Sequence, residues 1–250
     1  MTLTEHLEEL RRRLIACFVA VGLAFCGTYY FAKDLFQLLM APLLAVMPPD
    51  QGLIFTGLPE AFFTYLKVAL VAAFFIAAPV ILYEIWKFVA PGLYSEEKKY
   101  ILPFVFFSTV FFAGGAMFGY YVVFPFGFRF FVGFATDFIR PLPSVKEYFA
   151  FATRMLFAFG VVFELPVFSL FLARIGVINA AMLVRQRKYA FLGVFVISAI
   201  LTPPDVLSQL MMAGPLMILY EISIIVARIF GKKEKADETA GTDDLPETRG

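Results

Sequence analysis

Six runs of apolar residues govern what this chain can fold into, and all but one are about 19 residues or longer. They cover Leu14–Ala32, Val68–Ala90, Ile101–Pro125, Phe149–Val177, Tyr189–Leu201 and Val206–Phe230. A run of this length matches the hydrocarbon thickness of a bilayer, and lipid offers no partner to an unpaired backbone group, so each run is expected as a helix. Composition agrees: 61% of the 250 residues are apolar and only 16% charged, where a soluble domain carries about a quarter charged. A soluble enzyme, a disordered chain and a secreted disulfide scaffold are thereby excluded. The expected fold is an all-α membrane protein with six transmembrane helices in a kinked, concave bundle, the last two short. Pro79, Pro103, Pro166 and Pro215 lie inside apolar runs and supply the kinks. The fifth run, rising only ~20 Å, is expected to pack inside the bundle near a locally thin membrane.

Three regions follow: an amphipathic N-terminal helix over 1–13, the six-helix domain over 14–230 and a charged, disordered tail over 231–250. The start resembles a signal peptide, but its apolar run is long and no A-x-A site follows, so it reads as a retained span. Counting Lys and Arg by alternate loops puts 15 on the side of the termini and 6 on the other. Positive residues stay inside, so both termini are expected in the cytoplasm. The segment 34–66 has no Lys or Arg and is expected to be an extracytoplasmic loop. Cys17 and Cys26, nine residues apart on one helix, face opposite ways and cannot bridge; they read as small buried groups.

Most chemistry is missing. No G-x-x-x-x-G-K-[ST] loop or G-x-S-x-G elbow occurs, and His6 is the only histidine. The chain is therefore not expected to be an enzyme or to hold a cofactor or metal. Its function must rest on binding, charge and packing.

Four constellations remain. In the N-terminal segment, Thr2 and Glu5 form a capping box, and Leu3, Leu7, Leu10 and Leu14 make one apolar stripe. Glu9 there has Arg12 and Arg13 at i+3 and i+4, which reads as a local ion pair or as part of an anionic site. The second loop joins Trp86, Phe88, Pro91 and Tyr94 to Ser95, Glu96 and Glu97, either an aromatic belt with a capped helix start or a binding surface. Glu164 lies deep in the fourth run, with Glu84 and Glu221 nearer the cytoplasmic ends. A carboxylate at depth must face protein or water. Thr202-Pro203-Pro204-Asp205, followed by Ser208 and Gln209, makes a tight turn with polar groups beside it. Gly115 and Gly119 read as a packing notch.

These residues resemble the TatC family, the multispanning core of the twin-arginine (Sec-independent) protein translocase. His6-Leu7-Glu8-Glu9-Leu10-Arg11-Arg12-Arg13-Leu14 is similar to the family's opening, and Ala78-Pro79-Val80-Ile81-Leu82-Tyr83 with Trp86, Phe88, Pro91, Leu93, Tyr94 and Glu97 to its first cytoplasmic loop. Phe159 to Pro166 resembles its fourth span, and Leu201 to Val206 with Ser208 and Gln209 its last hairpin. The resemblance implies a core component and signal-peptide receptor that exports folded proteins across the plasma (inner) membrane on the proton-motive force. It implies that Glu9 and Glu97, flanked by Glu96, receive the paired arginines, with Phe88 and Pro79 lining the adjoining groove. It further implies that Glu164, Thr202, Asp205 and Gln209 lie on surfaces linked to the single-span partners TatA and TatB, with more than one copy of the chain in the receptor complex. The competing expectations are a proton-coupled small-solute transporter using Glu164 and, behind it, an intramembrane enzyme.

Overall fold

The computed structural model describes residues 3–48, 52–55, 57–89, 101–136, 141–202 and 206–231. The described residues are helical, without a strand. In chain order the helices are α1 (Leu3–Tyr30), α2 (Ala32–Leu44), α3 (Glu60–Val89), α4 (Ile101–Phe118), a π-helical turn (Gly119–Val123), α5 (Phe124–Val132), α6 (Val145–Phe163), α7 (Leu165–Arg174), α8 (Ala180–Arg185), α9 (Arg187–Leu201) and α10 (Val206–Phe230). Among the described residues, five stretches are long and apolar enough to cross a membrane: Thr4–Tyr30, Glu60–Val89, Leu102–Val132, Val145–Arg174 and Gln209–Phe230.

The longest helix contact is α1 against α3. Thr28 Oγ1 donates to the Ala69 carbonyl at 2.8 Å near one end, and Arg13 Nη1 to Glu84 Oε2 at 2.8 Å near the other. The two contacts lie equally far apart along each antiparallel helix, about 22 Å at 1.5 Å per residue. That register sets Ala24 opposite Ala73 and Ala20 opposite Ala77. Ala69 and Ala73 are fully buried. Small residues at every fourth position let two backbones approach closely, which is how helices associate where lipid removes the hydrophobic drive.

Between α4 and α6 the same device recurs. A Cβ built on Gly115 would stand 2.4 Å from the Phe159 carbonyl oxygen, and one on Gly160 would stand 2.8 Å from the Phe112 ring. The Gly115/Gly119 spacing is thus a packing notch, as expected. Where α6 meets α7 the helix breaks at Glu164, two residues before Pro166. By contrast α3 runs through Pro79, and α10 through Pro215, as unbroken helices.

The structure corrects several expectations. Residues 3–13 form no separate surface helix; they continue into the first span as one 28-residue helix. The segment 34–66 is not simply a loop. Its α2 buries Leu39, Met40 and Leu43 against Phe124, Phe128 and Tyr148, and Tyr148 donates its hydroxyl to the Leu39 carbonyl. Ile54 pairs with the second loop on that side: its N–H donates to the Pro143 carbonyl at 3.1 Å, and its carbonyl accepts from Val145 N–H at 2.9 Å. Glu60 ties the same two loops, accepting from Gly57 N–H at 3.1 Å, Lys146 N–H at 2.9 Å and the Ser144 hydroxyl at 3.3 Å. Helix α9, at 15 residues, is short as expected, yet it does not pack inside the bundle. It buries only Val194 and Ser198 and leaves Phe191, Leu192, Val196 and Ile200 outward. The sixth run is not short; α10 has 25 residues. Cys17 is half-buried and Cys26 exposed, so only the absence of a bridge agrees with their reading as buried groups.

Candidate functional site

Polar side chains gather at the end of the bundle that carries the amino terminus, where α1 meets the last turns of α3. The apolar stripe of α1 does not build this junction, because Leu7, Leu10 and Leu14 all point outward. Its polar stripe does. Glu9 and Arg13 pair on one helix at i and i+4, with Arg13 Nη2 donating to Glu9 Oε1. Nη1 of the same guanidinium crosses to Glu84. The three side chains keep only 16–18% of their surface exposed. At this depth each ionised group depends on its partners, since a lone desolvated charge costs several kcal/mol (on the order of). Two atoms nevertheless stay buried without a partner among the described residues: Glu9 Oε2 and Arg13 Nε. One turn beyond Glu84, the half-buried Phe88 stacks on the His6 ring with centroids 4.5 Å apart.

Of the residues singled out in the sequence, Glu9 and Phe88 are therefore brought together. Glu96, Glu97 and Asp205, like Thr2, Pro91, Ser95, Pro203 and Pro204, lie outside the described residues. Pro79 is exposed, and nine residues of helix place it on the opposite face of α3 from Phe88. Glu84, noted in the sequence only as an acid near a helix end, was missed as part of the junction. Arg12 was offered beside Arg13 as a partner of Glu9, and it is exposed.

A second polar cluster lies within the membrane-spanning part. Glu164 is buried at the α6–α7 break, with both carboxylate oxygens lacking a hydrogen bond among the described residues. Beside it stands the Ser108 hydroxyl of α4, which accepts from Trp86 Nε1 of α3 at 2.8 Å. Phe104 and Phe171 close over the Trp86 ring at 5.1 and 4.9 Å. Three helices thus meet around a tryptophan, a serine and a carboxyl group sealed in aromatic packing.

The third constellation, at the α9–α10 hairpin, bonds two of the polar groups beside its turn within the hairpin itself. Thr202 is buried and its hydroxyl donates to the Ser198 carbonyl at 2.8 Å. Gln209 is half-buried, and its amide donates to the Phe195 carbonyl at 3.1 Å, tying α10 to α9. Among the described side chains, those the hairpin exposes include the apolar Ile197, Ile200, Val206 and Leu210.

Residues 5–215 match the family model described as TatC, Sec-independent protein translocase protein. A Sec-independent protein translocase protein TatC from Desulforapulum autotrophicum is 56% identical over 235 residues, spanning 94% of this chain and 87% of that one. Its counterpart from Magnetococcus marinus is 44% identical, spanning 95% and 88%. Two crystal structures of the twin arginine translocase receptor TatC superpose on the chain. One has TM-score 0.78 at 41% identity, covering 89% of this chain and 97% of the other. The second, in DDM, has TM-score 0.81 at 39% identity, covering 90% and 100%.

Proposed function

Since the chain belongs to the TatC family of Sec-independent protein translocase components, a family of multi-pass helical membrane proteins, we propose that it is the signal-peptide receptor of its translocase. In this reading it spans the plasma (inner) membrane six times, with α9 as the short fifth span and 231–250 as a cytoplasmic tail. Both termini are cytoplasmic, following the excess of Lys and Arg on that side. The paired arginines of a signal peptide bind at the amino-terminal end of the bundle, to Glu9 of α1 and Glu97 of the loop after α3. Glu96 stands beside Glu97 in the sequence, and Phe88 lines the approach.

The observation that carries the reading is Glu9 Oε2, a carboxylate oxygen held at a helix junction next to Phe88 with no hydrogen-bond partner among the described residues. A guanidinium satisfies such an oxygen directionally, which an ammonium does less well, so arginine is preferred to lysine. Transport draws on the proton-motive force, and the exported cargo is folded. TatA and TatB dock on surfaces near Asp205 and Gln209, beneath which Glu164 and Thr202 are buried. Because Thr202 and Gln209 bond within their own hairpin, they shape that surface, and the outward apolar side chains meet the partner helix.

A pulldown of the full-length chain with a twin-arginine signal peptide and its twin-lysine variant tests the proposal. Glu97→Ala and Glu9→Ala are expected to weaken capture of the arginine peptide by about thirtyfold and by less, respectively. Glu96→Ala should hardly change it. Equal capture of both peptides, or no loss with either acid removed, refutes the assignment. For the orientation, a cysteine introduced at Gln51 in a variant lacking Cys17 and Cys26 should react with an impermeant reagent from outside. Protection of that cysteine in intact cells refutes the orientation.

A further inference from the structure

Arg13 is held by two carboxylates at once and leaves one oxygen of Glu9 unsatisfied among the described residues. Nη2 donates to Glu9 Oε1 and Nη1 to Glu84 Oε2, while Arg13 Nε and Glu9 Oε2 are buried without partners among the described residues. An arginine four residues after a glutamate on one helix is within reach to close on it as a two-pronged fork. In that arrangement Nε and one Nη use both carboxylate oxygens. Here the fork is drawn open because Glu84 reaches from α3 and takes the other Nη. The outcome is a triad with one net negative charge and one vacant carboxylate oxygen.

We infer that Glu84 is a positioning residue of this site: by holding Arg13 it keeps the second oxygen of Glu9 vacant, so that the α1–α3 junction accepts a single guanidinium. The inference rests on the proposed binding of signal-peptide arginines at Glu9 and adds what sets the capacity of that position. Three charges fix the stoichiometry. Glu9 and Glu84 contribute two negatives and Arg13 one positive, so one incoming arginine brings the cluster to neutrality. A second would leave an uncompensated cation in a site only 16–18% exposed. Without the Glu84 carboxylate the cluster is already neutral, and Arg13 is free to close on both oxygens of Glu9. Its guanidinium then occupies the place of the ligand's.

The test uses the full-length chain in lipid nanodiscs and a fluorescent twin-arginine signal peptide, read by anisotropy. Size-exclusion and thermal unfolding show which variants are folded. Glu84→Gln is expected to weaken binding about tenfold, and Glu84→Asp to lose less. The double variant Arg13→Gln/Glu84→Gln restores one net negative charge and frees both oxygens of Glu9, so binding should recover to within about threefold of the parent. Failure of the double variant to recover, while folded, means that Glu84 contacts the peptide itself or acts on the fold, and overturns the inference. So does parental binding by Glu84→Gln alongside weakened binding by Glu9→Gln, an outcome that leaves the proposed receptor site standing. Parental binding by Glu9→Gln overturns the site and the inference together.

Discussion

Two neighbouring glycines of α4 offer a direct measurement of how closely its helices pack. Gly115 and Gly114 have the same covalent chemistry, and alanine raises the intrinsic helix propensity of either position by about 0.8–1.0 kcal/mol. Their surroundings differ. A Cβ on Gly114 meets nothing within 4 Å, whereas on Gly115 it stands 2.4 Å from the Phe159 carbonyl oxygen and 2.8 Å from Phe163 Cβ. The first contact is about 1 Å short of ordinary van der Waals separation, and its obstacle is the backbone of α6, which no rotamer change removes. Helices α4 and α6 must therefore part. Such overpacking costs about 1–3 kcal/mol, with the upper end expected when a helix has to move. Less the propensity gain of about 1 kcal/mol, a cost at the upper end leaves about 2 kcal/mol, which for a chain of this length is a fall in Tm of about 4–8 °C. Gly114→Ala should keep or slightly raise Tm. The assay is fluorescence-detected size exclusion of the solubilised full-length protein after stepwise heating. If Gly115→Ala melts within about 2 °C of the parent, or Gly114→Ala falls as far, the close contact between α4 and α6 is wrong and the argument fails with it.

Three further outcomes are expected. Glu164→Gln should assemble and export better than Glu164→Leu, because an amide, unlike an alkyl group, offers the neighbouring Ser108 hydroxyl a polar partner; equal behaviour in an export assay removes the polar role. Trp86→Phe loses the hydrogen bond to the fully buried Ser108. At about 0.6–2 kcal/mol for an interhelical bond within a membrane, its Tm should fall by a few degrees and Ser108→Ala should then add little further loss. Glu60→Ala releases acceptor bonds that tie the two loops at the far end of the bundle, so limited proteolysis of the solubilised protein should accelerate between residues 52 and 59, and an unchanged cleavage rate counts against the tie.

The helices themselves were legible because lipid permits a long apolar run little else, and α10 was found to the residue. What lay between the runs was harder to read. The absence of Lys and Arg from 34–66 made that stretch look like a loop, although Leu35, Leu39, Leu43 and Met47 recur at every fourth position. These residues sit in or against the core that α2 joins. That period was the available signal, and the charge argument overrode it. Glu9 with Arg13 was legible because partners at i+4 are local. Glu84 was not, since its link to Arg13 spans 71 positions and depends on the register of two helices.

The stripe on α1 failed for a more general reason. In water, Leu3, Leu7, Leu10 and Leu14 would mark the face that seeks a core. In a bilayer the solvent is itself apolar, so leucines have no reason to turn inward, while charged and small residues do. The inward face of α1 is accordingly Glu9, Arg13, Ala16, Ala20, Ala24 and Thr28, each half-buried or buried, as Leu7, Leu10 and Leu14 stay exposed. Read with that inversion, the alanines at every fourth position of α1 and the matching Ala69, Ala73 and Ala77 of α3 identify the α1–α3 pair. The antiparallel register follows from placing Arg13 against the only acid near the end of α3 and Thr28 beside Ala69. Among the described residues, the two carboxylates and one guanidinium that face inward at this end of two alanine-packed helices pair only with one another, and that is the physical condition under which an incoming charged ligand would be read at the proposed site.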